Sequence, residues 1–236
     1  MAVISHHEGA DTFARVETYV VRVWMPDRPG ALGQVASRIG AVRGDVVGID
    51  ILERGGGKVI DELVVALPDG SVVDLLVAEI SQVDGVAVED VQRVPPERPD
   101  PGLAALDLAA RLVETSPSER LAAFCSGLAT LFEADWVMAV DLITGETAQL
   151  LGVGPDSAWL TAFVEGSRHL ADGAAEQSPP GDFTPGDLAW GIVDSAEQVI
   201  ALGRSARPLH MRERRQLSRL CRIHSALLIA PLTPVD

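Results

Sequence analysis

The chain has 236 residues, of which 47% are hydrophobic, and it carries a formal net charge of -15. This length suits one large domain or two small ones, and this apolar content excludes disorder over most of the chain. The excess of acidic residues repels phosphate backbones, which argues against nucleic acid as a partner.

The sequence lacks the patterns that direct proteins into or through membranes. No apolar run approaches the roughly 20 residues that span a bilayer. The N-terminal residues lack the basic flank and the apolar stretch of a signal peptide. The two cysteines, Cys125 and Cys221, are too few for a disulfide framework. We therefore expect a cytoplasmic protein that makes no membrane contact.

A proline-rich stretch divides the chain. Residues 1–16 show little pattern and are predicted to form a flexible arm. Four prolines between positions 95 and 101 predict a linker at residues 96–102, because proline continues neither a helix nor a strand. The chain is thus predicted to contain a first domain at residues 17–95 and a second domain at residues 103–232.

The first domain alternates between strand and helix patterns. Strand-like runs and runs of helical spacing follow one another at residues 19–24, 32–42, 46–53, 60–67, 73–80 and 86–94. This βαββαβ order predicts a ferredoxin-like α+β fold, with two helices on one face of an antiparallel sheet. The other face would expose Trp24 beside Val20, which predicts a covering partner, either a second subunit or the second domain.

The second domain is also predicted to be α+β. Its patterns indicate two helices, a hairpin around Thr144-Gly145, a third helix, two short strands and a closing helix. In the first of these helices, apolar residues at helical spacing predict the face that packs into the core. These residues are Leu103, Leu106, Ala110 and Val113.

The most informative segment is Asp27-Arg28-Pro29-Gly30-Ala31-Leu32-Gly33, between the first strand and the first helix. Pro29 suits a first helical turn, and Gly30 allows a ligand to approach the backbone closely. The unpaired N–H groups and the positive dipole end of that helix favour a carboxylate. The segment therefore predicts a site for the carboxyl group of an amino acid. The alternative is a tight strand–helix turn that Asp27 caps locally.

This heptapeptide, within a βαββαβ frame, resembles the ACT domain family over about residues 18–94. Members of that family bind amino acids or related small molecules between paired domains and regulate metabolism. The resemblance implies a homodimer with an amino acid at the domain interface. It implies the ligand-binding residues Asp27, Arg28, Gly30, Ala31, Leu32, Asp45 and Val46. The family often has Asn where this chain has Asp45, and an Asp there would receive an ammonium group or repel an anion.

The second domain is similar in outline to a GAF-type domain. The similarity rests on the entry helices, the hairpin that begins at Trp136 and the closing helix after Arg204. The domain is short for that family and is predicted to lack one of its strands. The resemblance implies that this domain senses a small molecule or mediates dimerisation.

Other groups of residues predict neither catalysis nor a metal site. His6-His7 has no partner at ligand spacing. Cys125, Cys221 and His224 lie on apolar helix faces and are predicted to be core residues, with the histidine hydrogen-bonded. Seven arginines between positions 204 and 222 predict the solvated face of the last helix or, alternatively, a surface for nucleic acid or an acidic partner.

We therefore predict a regulatory or sensor protein that binds an amino acid and carries no cofactor and no catalytic residues. Its second domain would relay the change to a protein partner or dimerise. One alternative is an assembly protein that docks on a metabolic enzyme or regulator without binding a ligand. A further alternative is an enzyme whose site in the second domain follows no familiar motif.

Overall fold

A computed structural model describes residues 16–173, 187–205 and 207–229, without the side chains of residues 169–173. Almost all of the predicted N-terminal arm, with His6 and His7, lies outside these residues. The chain divides into two compact units, Met1–Arg98 and Pro99–Asp236.

The first unit has the predicted βαββαβ order. Its elements are β1 (Glu17–Pro26), α1 (Ala31–Ala41), β2 (Asp45–Gly55), β3 (Lys58–Leu67), α2 (Val73–Ile80) and β4 (Ala87–Val94). The strands form one antiparallel sheet in the order β2-β3-β1-β4. As a result, β1 is paired along both edges, while β2 and β4 are the outer strands.

The core of this unit lies between the helices and one face of the sheet. Val21, Val23 and Met25 of β1 point to this face and pack with Val35 and Ile39 of α1. The residues of β1 alternate along the strand, and those of α1 recur at helical spacing. Each element therefore buries one apolar side.

The opposite face of the same sheet contains a buried ion network. Glu62 of β3 accepts a hydrogen bond from Arg22 of β1 at 2.9 Å and another from Arg98 at 2.9 Å. Arg22 is 2% exposed and Glu62 is 3% exposed. Burial opposes ionisation of Glu62, but the two guanidinium groups outweigh it, so the pKa of this carboxyl lies below its ordinary value.

Trp24 on this face differs from the prediction. Its side chain is half-buried rather than exposed, and its ring N–H donates to Glu89 Oε1 at 2.9 Å. Val20 on the same face is fully buried. The face therefore combines apolar residues with paired charges, a mixture that alternation along one strand does not reveal.

The second unit has the predicted α+β order. Its elements are α3 (Pro101–Glu114), α4 (Arg120–Phe132), β5 (Trp136–Asp141), β6 (Thr147–Leu151), α5 (Ser157–Gly173), β7 (Leu188–Val193), β8 (Gln198–Gly203) and α6 (Met211–Ile229). The strands form a second antiparallel sheet in the order β6-β5-β8-β7. Among the residues described, no helix combines the length and the hydropathy that a membrane crossing requires.

The predicted core stripe of α3 was wrong. Leu103 is 61% exposed and Leu106 is 65% exposed, whereas Leu108 and Leu112 are buried. The helix carries two apolar stripes, and Gly127 of α4 decides between them, because a side chain there would collide with Leu108. The close approach that glycine permits thus draws the Leu108 side of α3 into the core.

We expect Glu62→Gln to lower the free energy of unfolding at pH 7 by about 3 kcal/mol, because it leaves buried guanidinium charge without its carboxylate. Chemical denaturation would measure this loss. The matched control is Glu79→Gln, which removes the pair of Glu79 with Arg38 at 3.0 Å on a more exposed surface. That change should cost less than about 1 kcal/mol.

Acid should reduce the difference between Glu62→Gln and the wild type. Because the folded pKa of Glu62 is depressed, its stabilising contribution is present above the unfolded pKa of about 4.3 and is lost as the pH falls through the lower folded value. A difference in unfolding free energy that stays constant from pH 7 to pH 3 would contradict the assignment of this network as the source of the stability.

Candidate functional site

The turn between β1 and α1 is held by backbone hydrogen bonds. The N–H of Asp27 donates to Gly57 O at 2.9 Å, and that of Arg28 donates to Pro26 O at 2.9 Å. Helix α1 begins at Ala31, so Pro29 precedes the first turn instead of occupying it as predicted. Gly30 is the N-cap residue and has φ +86°, a left-handed conformation that strains any residue with a Cβ.

The start of α1 carries no side-chain cap. Among the residues that the structure describes, no side chain accepts a hydrogen bond at the N-cap, and the first turn contains no acidic residue. The predicted alternative, in which Asp27 caps the helix, is therefore not present. The first N–H groups of a helix have no partner within the helix, and its dipole places partial positive charge there. This end of α1 is suited to receiving an anionic group.

A small pocket lies directly beside this helix start, and we call it the α1 pocket. It is lined by Met25, Pro26, Asp27, Arg28, Ala31, Leu32, Ile49, Ile51, Arg54, Val59 and Asp61. Its volume is about 140 Å³. Pockets for drug-sized ligands occupy about 300–1,000 Å³. The volume of the α1 pocket is therefore that of a small metabolite.

Asp61 contributes a buried carboxylate to the α1 pocket. It pairs across the sheet with Val23 and Ile51, on the face that carries α1, and it is only 4% exposed. Its Oδ1 has no hydrogen-bond partner among the residues described. Burial raises the pKa of this carboxyl above its ordinary value, while nearby Arg54 opposes that shift and Asp27 adds to it.

The structure brings together only part of the predicted site. Four predicted residues line the α1 pocket, and Gly30 caps the adjacent helix: the four are Asp27, Arg28, Ala31 and Leu32. Asp45 and Val46 do not line it. Asp45 precedes Ile49, a lining residue on the same strand, by four residues, which span about 13 Å of extended chain.

Sequence reasoning missed the contributions of β2 and β3 to the α1 pocket. Ile49, Ile51 and Arg54 come from β2, and Asp61 comes from β3. The available signal was the pair Asp61-Glu62 within the otherwise apolar run of β3. Two adjacent acids in a strand place one carboxylate on each face of the sheet, so one of them must lie under the helices.

The cysteines and His224 of the second unit are core residues. Burial raises the pKa of Cys125 to about 12, and burial and Cys125 also raise the pKa of Cys221. His224 stacks on Phe124 with ring centroids 4.6 Å apart. Burial, with Arg120, lowers its pKa to about 4. Its Nδ1 has no hydrogen-bond partner within the described part of the chain, whereas we predicted a core histidine whose polar groups are satisfied.

The arginines near the C-terminus divide between structural and exposed positions. Arg204 is buried and donates to Phe132 O at 2.7 Å and to Glu213 Oε1 at 2.7 Å. Arg214 donates to Leu188 O at 2.6 Å. Arg207 is also buried and pairs with Glu133, so the prediction of one solvated face was wrong for these three residues. In residues 16–173, 187–205 and 207–229, no cluster of three or more His, Cys, Asp or Glu side chains has the arrangement of a metal site.

Comparison with known families matches part of the first unit. Residues 19–85 match the family model of the ACT domain. The match covers the turn, α1 and the strands that line the α1 pocket. No curated protein matches the chain.

Several solved structures are similar to parts of the chain. The ACT domain from GTP pyrophosphokinase of Chlorobium tepidum is 18% identical, with 34% of this chain and 99% of that chain covered and a TM-score of 0.28. A formyltetrahydrofolate deformylase from Pseudomonas putida is 16% identical, with coverages of 40% and 38% and a TM-score of 0.27. An unknown protein from Galdieria sulphuraria is 16% identical, with coverages of 87% and 91% and a TM-score of 0.31.

Two glycines of this region should respond to alanine in opposite directions. Gly30→Ala places a Cβ on a left-handed residue, so we expect it to lower the free energy of unfolding by about 1 kcal/mol. Gly33→Ala lies within α1, where a Cβ meets open space, and should raise that energy by about 0.5 kcal/mol. Chemical denaturation of both variants would test this, and a shift of the same sign in both would contradict the role of φ at Gly30.

Proposed function

Because residues 19–85 form an ACT domain, we propose that the protein is a regulatory sensor that binds an amino acid in the α1 pocket. The observation that carries this proposal is the uncapped start of α1 beside a pocket of about 140 Å³. Backbone N–H groups at a helix start that have no partner within the helix are ready donors to a carboxylate. The pocket volume suits a ligand of amino-acid size.

The proposed ligand site is completed by a second copy of the chain. Asp45 and Val46 lie on the outer strand β2 but do not line the α1 pocket, so we propose that they contribute to a ligand site across an interface. The outer strand β2 supports pairing, because Ile49 and Ile51 on it are 48% and 44% exposed. Exposed apolar residues on an outer strand favour association with another chain. We therefore propose a homodimer.

The second unit is proposed to relay the bound state or to dimerise, as a GAF-like domain would. Its order of helices, hairpin, helix, strands and closing helix supports this interpretation. The exposed apolar residues Leu103 and Leu106 on α3 support a role in association. We propose no catalytic function for either unit and a cytoplasmic location, with a protein partner downstream.

The competing proposal is an assembly protein that binds no ligand and docks on a metabolic enzyme or regulator. The exposed residues of β2 and α3 favour it equally, because they serve association with or without a metabolite. The two proposals differ in one observable property, which is the response of the dimer to amino acids.

We expect one of the 20 amino acids to raise the unfolding temperature of the full chain in a dose-dependent way. A ligand that binds only the folded state stabilises it by about 2.7 kcal/mol at one hundred times its Kd. Gly30→Asp should abolish this rise, because its carboxylate competes for the start of α1. Gly30→Ala is the matched control, since it shares the backbone strain of that variant and lacks the negative charge.

The control decides what a negative result means. Loss of the thermal response in both variants would assign the effect to strain at Gly30 and not to occupation of the helix start. If none of the 20 amino acids raised the unfolding temperature of a wild-type dimer, the result would contradict the sensor proposal and favour the assembly protein. Sedimentation of the wild-type chain with and without amino acids establishes the oligomeric state in either case.

A further inference from the structure

The buried carboxylate of Asp61 is costly unless something outside the described residues balances it. A side chain that is 4% exposed, with a carboxylate oxygen that accepts no hydrogen bond, has lost its hydration without replacement. Its neighbour Glu62, on the other face of the sheet, is satisfied by two guanidinium groups. The chain thus pairs one of two adjacent acids and leaves the other directed at the α1 pocket.

The charged groups around the α1 pocket are distributed unevenly. Asp27 and Arg28 come from the turn and Arg54 from β2, and all three are exposed. Asp61 is the charged lining residue that is buried. Solvent screens the charges of the exposed groups. The buried Asp61 carboxylate is screened least, so it would gain the most from an opposite charge in the pocket. A hydrogen-bond donor that enters the pocket is therefore stabilised most by contact with this carboxylate.

We propose that Asp61 is the acceptor for the ammonium group of the ligand, so that the α1 pocket recognises both charged ends of an α-amino acid. The ligand carboxylate meets the N–H groups at the start of α1, and its ammonium meets the carboxylate of Asp61. This inference rests on the proposed function, because it assigns the second anchor of the same site.

The remaining lining defines the ligand class. Met25, Leu32, Ile51 and Val59 are apolar and leave no further buried charge for a polar side chain. The volume of about 140 Å³ limits the length of the ligand. The structure therefore assigns to the pocket an α-amino acid with a small apolar side chain. An ammonium beside Asp61 would also offset the burial that raises the pKa of this carboxyl.

The experiment compares amino acids with their analogues that lack the α-amino group. Each of the 20 amino acids that raises the unfolding temperature is titrated by calorimetry into the full chain, together with its des-amino acid, such as 3-methylbutanoate for valine. On the wild type, the amino acid should bind at least tenfold more tightly than its analogue. Asp61→Asn should lower the affinity for the amino acid by roughly 10- to 100-fold, which corresponds to the loss of a charged hydrogen bond. It should leave the affinity for the analogue unchanged.

The matched control is Asp107→Asn, which makes the same charge change at an exposed position of α3. It should leave both affinities unchanged. Asp61→Asn should also unfold at a higher temperature than the wild type without ligand at pH 7, because the isosteric amide removes an unbalanced buried charge. A structural role for Asp61 predicts the opposite shift.

Three results would overturn the inference in distinguishable ways. Unchanged binding of the amino acid to Asp61→Asn would remove Asp61 from the site and leave the sensor proposal standing. If Asp61→Asn lowered the affinities for the amino acid and for its des-amino analogue equally, the loss would be assigned to a distorted pocket. Absence of binding by all 20 amino acids to the wild type would overturn the sensor proposal and this inference together. Equal affinity of the wild type for an amino acid and its des-amino analogue would also overturn the inference, and this comparison holds even if Asp61→Asn fails to fold.

Discussion

The pairing of β1 along both of its edges is the constraint on which the first unit depends. Hydrogen bonds to β3 and β4 fix where β1 ends, and therefore where the chain turns into α1. The short turn is held in place by the bond from Asp27 N to Gly57 O and by the left-handed backbone of Gly30. The uncapped helix start is thus positioned by the sheet rather than by side chains of its own. A site of backbone N–H groups is as rigid as the sheet that holds it.

Asp61 and Glu62 show how one strand places adjacent residues of the same charge in opposite environments. Successive side chains of β3 point to opposite faces, so Glu62 meets Arg22 and Arg98 while Asp61 faces the α1 pocket. Their pKa values shift in opposite directions for this reason. The paired acid stabilises the fold, and the unpaired one is the group that we propose contacts a ligand. On this proposal, adjacent residues of β3 serve stability and binding.

The sequence predicted the order of elements in both units, because apolar periods of two and about 3.6 residues report local structure directly. It also predicted the turn from Asp27 to Gly30, because proline and glycine in this order are typical of turns. It did not predict which stripe of α3 is buried, since that depends on the space that Gly127 leaves on α4. Nor did it predict that Asp45 lies outside the lining of the pocket or that Asp61 belongs to that lining. Those facts depend on strand order and register, which no local pattern encodes.

The burial of both native cysteines has a practical consequence for testing whether copies of this chain associate. Cys125 and Cys221 are fully buried, and burial raises the pKa of both thiols, so neither supplies much thiolate to an alkylating probe in the folded protein. A cysteine introduced at an exposed position, such as Ser37 on α1, would therefore be the thiol that reacts. Spin labels or fluorophores attached there would report distances between two copies without first removing the native thiols.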